Sequence, residues 1–335
     1  MNLWADNSDD SRDRFEALKD YVERTVRPLL GLKTIQVLLL REALDYLVLR
    51  TEDTREINDV VTPSSRSGQP ELRRVAFLGG KQKAVESREL ERLLREVAAE
   101  TGFDQLAYQG GDDCFLKKLC LRCPRCGLFG ATSTESGKGQ KPNIKHRIEY
   151  STALSFLPYE EVVEEMTFNA ISDKQQITDT ALNSRPCVRP GTLFVSIVTL
   201  RCVTPQELLL ALKVLLSARS YGAESRIQGD VRNHVIGIVA GWEEVLTPLE
   251  LTLEFEKNLD EVVKEGSRPA AVKSAVETYF PLSAYPEKVL LLNGGQISVE
   301  PAGDSTTGGG GASAPTSRPM RLRVRGGLDE LLDAV

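Results

Sequence analysis

Histidine is almost missing from this chain: His146 and His234 are the only two in 335 residues. That is thin material for a catalytic centre built on imidazole. No apolar run approaches the ~18 residues needed to cross a bilayer, so no transmembrane segment is expected. Residues 1–10 are polar and acidic, with neither a basic leader region nor an apolar one, so no signal peptide is expected either and a cytosolic protein is the default. Positive charge is in the minority. Lys plus Arg number 42 against 48 Asp plus Glu, a net charge of −6. This excludes a uniformly basic nucleic-acid coat but leaves room for a local basic groove on an acidic body. There is no Walker loop, no Gly-x-Gly-x-x-Gly after a strand, no His-Glu-x-x-His and no Gly-x-Ser-x-Gly. No pair of carboxylates stands out as an acid/base couple, and nothing supports a Ser220–His234 dyad. Internal repeats and heptad runs are absent too. What remains is a composition close to that of an average soluble protein, 41% hydrophobic and 27% charged. The length suits about two domains at ~150 residues each, or one with large insertions.

The patterning reads as strands and helices separated by long polar segments. Residues 12–26 place Phe15, Leu18, Val22 and Val26 on one helical face. From Thr34 to Thr51 the apolar residues are nearly continuous, which predicts one or two buried strands. Residues 52–71, with Pro63, Gly68 and Pro70, read as a long loop. Arg73–Leu78 reads as a strand, Gly79-Gly80 as a turn, and Ser87–Glu100 as a helix. Tyr150–Leu157 reads as a strand and 158–190 as a further irregular segment. The clearest signal is Leu193–Cys202 as a strand, then Thr204-Pro205-Gln206-Glu207 as a capping box with proline at the first helical position. Leucines at helical spacing, a Gly-containing loop over Ser220–Val231 and a strand His234–Ala240 follow. The expected fold class is therefore α+β, a ferredoxin-like or RNA-recognition sheet with helices on one face. Residues 247–280 read as two helices. Residues 302–319 read as a flexible Gly/Ser/Thr/Ala/Pro linker, and Arg321–Arg325 as an edge strand or a basic tail.

Four of the six cysteines fall within thirteen residues, as Cys114-x5-Cys120-x2-Cys123-x2-Cys126. Cys123-Pro-Arg-Cys126-Gly127 has the form of a zinc knuckle. Two thiolates three apart grip one tetrahedral ion, and the glycine lets the turn close with N–H groups aimed at sulfur. A closed four-thiolate site has no open position and is structural, not catalytic. An iron–sulfur cluster and reduced metal-free thiols are the rival readings. The cluster pattern would continue with a further cysteine before proline, which is missing here. Cys187 and Cys202 read as small buried hydrophobes.

Basic residues concentrate in three predicted loop regions. Arg66, Arg73, Arg74, Lys81 and Lys83 flank the first loop. Lys117, Lys118, Arg122 and Arg125 surround the cysteines, followed by Lys138, Lys141, Lys145, His146 and Arg147. Arg219, Arg226, Arg232 and His234 line the loop after the capped helix. Together they suggest a groove that tracks a phosphate backbone, with the acidic helices on the far side.

Tyr221-Gly-Ala-Glu-Ser-Arg226, followed by Arg232-Asn-His-Val-Ile-Gly-Ile238, resembles the backbone subunit of the type I-D CRISPR interference complex, Cascade, within the repeat-associated mysterious protein superfamily. The cysteine cluster with Gly127-Leu-Phe-Gly130, and Thr167-Phe168-Asn169, resemble it as well. The likeness covers roughly residues 30–256 and is good in 112–132 and 191–240. Ser220 stands where the family usually has arginine, Glu224 where it has glutamine, and Asp230 among residues usually neutral or basic; each departure removes positive charge from the loop. The resemblance implies a modified RNA-recognition core over 30–256 with insertions at 52–71, 112–147 (zinc) and 158–190 (a thumb). A helical part over 257–301 and a flexible tail over 302–335 would follow. It implies copies stacked head to tail along a CRISPR guide RNA beside other Cascade subunits, with target DNA read by guide pairing and not by protein. Residue by residue it implies that Arg219, Arg226, Arg232 and His234 meet guide phosphate and that Asn233 bonds sugar or backbone. Tyr221 stacks on a base or packs against the helix. Gly222 takes φ > 0 to turn the chain, and Lys138, Lys141, Lys145 and Arg147 touch the target strand. Cys114, Cys120, Cys123 and Cys126 hold structural zinc.

Two other readings remain open at this point. Related type III backbone subunits cut RNA with an acidic loop residue, and Asp173 and Asp179 lie where a thumb would be. A stand-alone zinc-ribbon module that binds nucleic acid without a guide is the third.

Overall fold

The computed structural model describes residues 18–26, 31–51, 56–101, 114, 119–121, 123–132, 143–168, 183–222, 229–257, 262, 268–279, 289–292, 297–300 and 321–324. In chain order the described elements begin with β1 (Thr34–Ala43), β2 (Asp59–Pro63), β3 (Glu71–Phe77), α1 (Gly79–Thr101), α2 (Pro124–Phe129), β4 (Ile148–Tyr150) and β5 (Ala153–Ser155). They continue with α3 (Tyr159–Val162), β6 (Val163–Phe168), β7 (Asn183–Val188), β8 (Leu193–Arg201), α4 (Pro205–Ser217) and β9 (Val231–Gly241). The last are α5 (Pro248–Lys257), α6 (Arg268–Tyr279), β10 (Val289–Leu292), β11 (Ile297–Glu300) and β12 (Arg321–Val324).

The apolar run in β1 makes it the central strand. Antiparallel β8 lies on one side, from Thr34↔Arg201 to Glu42↔Leu193, and antiparallel β9 on the other, with a bulge at Leu38/Leu39. The sheet has eight strands in the order β10-β9-β1-β8-β5-β3-β2, with β4 also paired to β8. Both faces of β1 are covered. Ile35, Val37 and Leu39 pack with Leu90 and Leu94 of α1 and Leu208, Leu212 and Leu215 of α4. Leu38 and Leu40 pack with Leu251 and Phe255 of α5 and Val272, Ala275 and Val276 of α6. Burying a large aliphatic side chain is worth about 1.5–3 kcal/mol, so a strand apolar on both faces demands cover on both. This corrects the expectation of helices on one face only. It also closes the sheet surface that an RNA-recognition domain would leave open.

Several local expectations change. Residues 18–26 hold only a 3₁₀ turn at Lys19–Tyr21, and Val22 is already extended, so no helix runs through them. Residues 52–71 include β2, which forms a hairpin with β3 at the sheet edge. Gly79-Gly80 opens α1 and makes no separate turn. Within 158–190, β6 and β7 form a separate hairpin, Val163↔Val188 to Phe168↔Asn183. The part expected to be helical beyond 257 contains α6 but also β10, which joins β9, and β11, which pairs with β12. The capping box is present with both hydrogen bonds: Thr204 Oγ1 accepts from Glu207 N–H, and the Glu207 carboxylate accepts from Thr204 N–H. Among the described residues no helix is long and apolar enough to cross a membrane.

Candidate metal centre and nucleic-acid interface

The four cysteines converge. Their sulfurs all lie within 4.8 Å of one another. Cys114 and Cys126 are 3.4 Å apart, Cys120 and Cys126 3.9 Å, and Cys114 and Cys123 3.9 Å. A tetrahedron of sulfurs each ~2.3 Å from a metal has edges of about 3.8 Å, so this set can hold one metal ion. Local backbone shapes it. Cys123 caps α2, and its sulfur accepts from Cys126 N–H at 3.4 Å. Cys114 and Cys120 sulfurs accept from the N–H groups of Cys120 and Cys123 at 3.4 and 3.3 Å. Without a cation the thiols obstruct one another's ionisation: hydrogen bonding to Cys123 pushes the Cys114 thiol up to about 11. The bond to Cys114 does the same to Cys126. A metal removes that conflict by taking the place of the protons.

Gly127 does not turn the knuckle as expected; it lies inside helical α2. The glycine with φ +83° is Gly130, where a Cβ would stand 2.8 Å from His146 N. Arg147, expected at the target strand, is 1% exposed. Its guanidinium donates to Gly127 O, Cys202 O and both carboxylate oxygens of Glu207. A buried guanidinium committed to four acceptors does not reach a phosphate backbone, so that role is corrected. Lys145 is exposed, while Lys138 and Lys141 lie outside the described residues.

The loop after α4 leaves through a narrow neck. Val231 N–H donates to Arg219 O, Tyr221 N–H to Gly229 O, and Ser220 bridges to Asp230. Gly229, not Gly222, takes the positive φ of +57°. A Cβ on Gly229 would collide with Leu47 and with the backbone of Gly222. Arg219 and Arg232 are exposed at this neck, and Arg226 lies outside the described residues. His234 is half-buried with Nε2 2.8 Å from Glu42. Tyr221 is 2% exposed and Asn233 is buried. Tyr221 OH donates to Glu86 at 2.8 Å and accepts from Asn233 Nδ2 at 2.8 Å. Arg41 Nη1 reaches Glu86 at 2.7 Å and Asn233 Oδ1 at 3.0 Å. The ring of Tyr221 is therefore core, the packing alternative, and Asn233 serves the same internal network in place of a nucleic-acid sugar.

Sequence reasoning missed this network. Its one visible trace is Arg41, a lone cation within the apolar run of β1. Three of the basic residues around the first loop are likewise paired with carboxylates, although Arg73 stays exposed. Arg74 is buried against Glu256, Arg66 pairs with the same carboxylate at 3.4 Å, and Arg73 pairs with Asp59 at 2.6 Å. Glu86, Glu254 and Glu256 are buried, so the acidic helices do not form a simple far side. Asp173, Asp179 and Asn169 lie outside the described residues.

The family described as Csc2 Crispr matches residues 21–279. A crystal structure of Thermofilum pendens Csc2 is similar at a TM-score of 0.56 and 24% identity, covering 82% of this chain and 97% of that one. A chain of a type IV-B CRISPR complex aligns at TM-score 0.41 and 14% identity, covering 60% and 89%. A chain of a CRISPR RNA-guided surveillance complex in a pre-nicking state aligns at 0.48 and 10%, covering 82% and 93%. No curated protein matches the chain. With more than half of the residues matched, from the 3₁₀ turn through α6, the chain belongs to the Csc2 CRISPR family.

Proposed function

We propose that this chain is a guide-RNA-binding backbone subunit of a CRISPR interference complex of type I-D. Copies stack head to tail along the guide beside other Cascade subunits in the cytoplasm, and target DNA is recognised by pairing with the guide. The observation that carries the reading is the family match over residues 21–279. The strand order β9-β1-β8-β5, with α1 and α4 as the connecting helices, supports an RNA-recognition-like core. Since α5 and α6 cover the sheet face, the guide runs along loops. Arg219 and Arg232, both exposed at the neck, are its phosphate contacts with Arg226, while His234 is held by Glu42 at the margin. Lys138, Lys141 and Lys145 are the contacts to the target strand in this reading. Cys114, Cys120, Cys123 and Cys126 would hold zinc, which supplies a structural cross-link and no open coordination position.

Single-strand RNA binding by the Arg219→Glu/Arg232→Glu double variant tests the loop. Removing two phosphate contacts should weaken binding at least about tenfold and shrink the salt slope by about one per contact. Unchanged affinity and slope would remove the neck from the interface.

A further inference from the structure

We infer that Arg147 is the positioning residue through which the four-cysteine centre sets the hold on α4 and, at the far end of that helix, the neck that carries Arg219 and Arg232. The inference rests on the metal reading above.

Three elements meet at this one side chain. On the knuckle, Arg147 N–H donates to Leu128 O at 2.8 Å and its Nε donates to Gly127 O at 3.2 Å. At the end of β8, Arg147 O accepts from Arg201 N–H at 2.8 Å, and Nη1 donates to Cys202 O at 3.0 Å. At the start of α4 the fork takes both oxygens of Glu207, with Nη1–Oε2 at 2.8 Å. Gly127 follows Cys126 directly, and its own N–H donates to Cys123 O at 3.0 Å. The residue whose carbonyl Arg147 reads is therefore tied to two of the clustered cysteines, to Cys126 through the chain and to Cys123 by its N–H.

Glu207 connects this to the helix. The oxygen that accepts Nη1 also accepts Thr204 N–H at 3.0 Å, so one carboxylate closes the capping box and receives the guanidinium. The thirteen residues of α4 span about 20 Å at 1.5 Å each. At the other end Leu215 O accepts from Asn233 Nδ2 at 2.6 Å, and Arg219 O accepts from Val231 N–H at 2.9 Å. The helix is clamped at both ends, by Arg147 towards the knuckle and by Asn233 towards the neck.

Zinc-type sites are coupled to local folding. A knuckle that loosens withdraws Gly127 O and Leu128 O from Arg147. The buried guanidinium then loses its Gly127 acceptor, the Arg147 N–H loses Leu128 O, and the Glu207 carboxylate loses a fixed partner. Only a planar fork serves all three elements at once; an ammonium does not.

Hydrogen exchange on the purified full chain tests this, read before and after metal removal by a chelator, with metal content measured on the same samples. In the wild type, chelation should speed exchange at 204–208 and at 219–222 and 229–232 by about tenfold, within the usual range of coupling between sites. The centres of β1 and β8 should stay protected. In Arg147→Gln and Arg147→Lys the metal content should match wild type, exchange in these segments should already be fast, and chelation should add less than about twofold. The relay is overturned if chelation loosens the knuckle and leaves α4 and the neck unchanged, or if the variants respond as the wild type does. It is equally overturned if β1 and β8 open together with the neck. Protein that purifies without metal overturns the metal reading itself, and this inference with it. The wild-type arm needs no variant to fold.

Discussion

Tyr221 shows how a residue can be legible as a motif while the sequence leaves its role open between stacking on a base and packing in the core. The Tyr-Gly-Ala stretch is plain in the sequence, but the partners that bury its ring, Arg41 and Glu86, stand 180 and 135 residues away. No local pattern contains them. Burial and the neighbouring Glu86 carboxylate raise the Tyr221 hydroxyl well above the usual tyrosine range, and burial does the same for Tyr150. The folded chain therefore keeps protons that the unfolded chain releases near pH 10. Stability from these groups is full below pH 10 and falls as pH rises beyond it, by about 1.4 kcal/mol per pH unit for each tyrosine. Urea unfolding between pH 9 and 11.5 should show this slope, and Tyr221→Phe should make it shallower. At neutral pH the same variant should lose about 1–3 kcal/mol, because Asn233 and Glu86 each lose a hydrogen-bond partner in the core.

At the scale of elements, legibility follows how local the determining chemistry is. The capped helix α4 begins where the Thr204–Glu207 spacing places it, because a capping box is satisfied within four residues. Thr204→Ala should cost about 0.5–2 kcal/mol in denaturant unfolding, because the Glu207 N–H loses its hydroxyl acceptor while the Glu207 carboxylate keeps the N–H of residue 204 and Arg147. The β2–β3 hairpin was hidden by prolines. Pro63 ends the edge strand, where a missing N–H costs nothing, and Pro70 lies just before β3. The start of α1 at two glycines gave no helical signal either. Gly130 tells the opposite story. It stands out in the sequence only as part of the family motif, yet its φ of +83° and the 2.8 Å approach to His146 N admit no side chain. Gly130→Ala should cost on the order of 1–3 kcal/mol and lower the melting temperature. Ordinary loss of a few tenths would show that the turn adapts.

For the whole molecule, the cysteine spacing pointed to one site and the fold brings the four sulfurs within 4.8 Å of one another. Basic charge was a poorer guide. A sequence counts cations without their partners, and Arg41, Arg66, Arg74 and Arg147 turn inward to carboxylates. Double cover of the sheet was implicit in the continuous apolar run of β1, which one layer of helices cannot bury. Removing the metal should lower the melting temperature and expose the knuckle to protease; identical melting with and without chelator would contradict a structural metal.

The central claim is that the chain assembles on a guide. Co-expression with its neighbouring complex subunits and a CRISPR array, purification, and sizing of the nucleic acid that accompanies the protein tests it most directly. The account predicts one discrete guide-length RNA in a particle of high mass, whose size grows when the array encodes a longer guide. A monomer free of nucleic acid would contradict it.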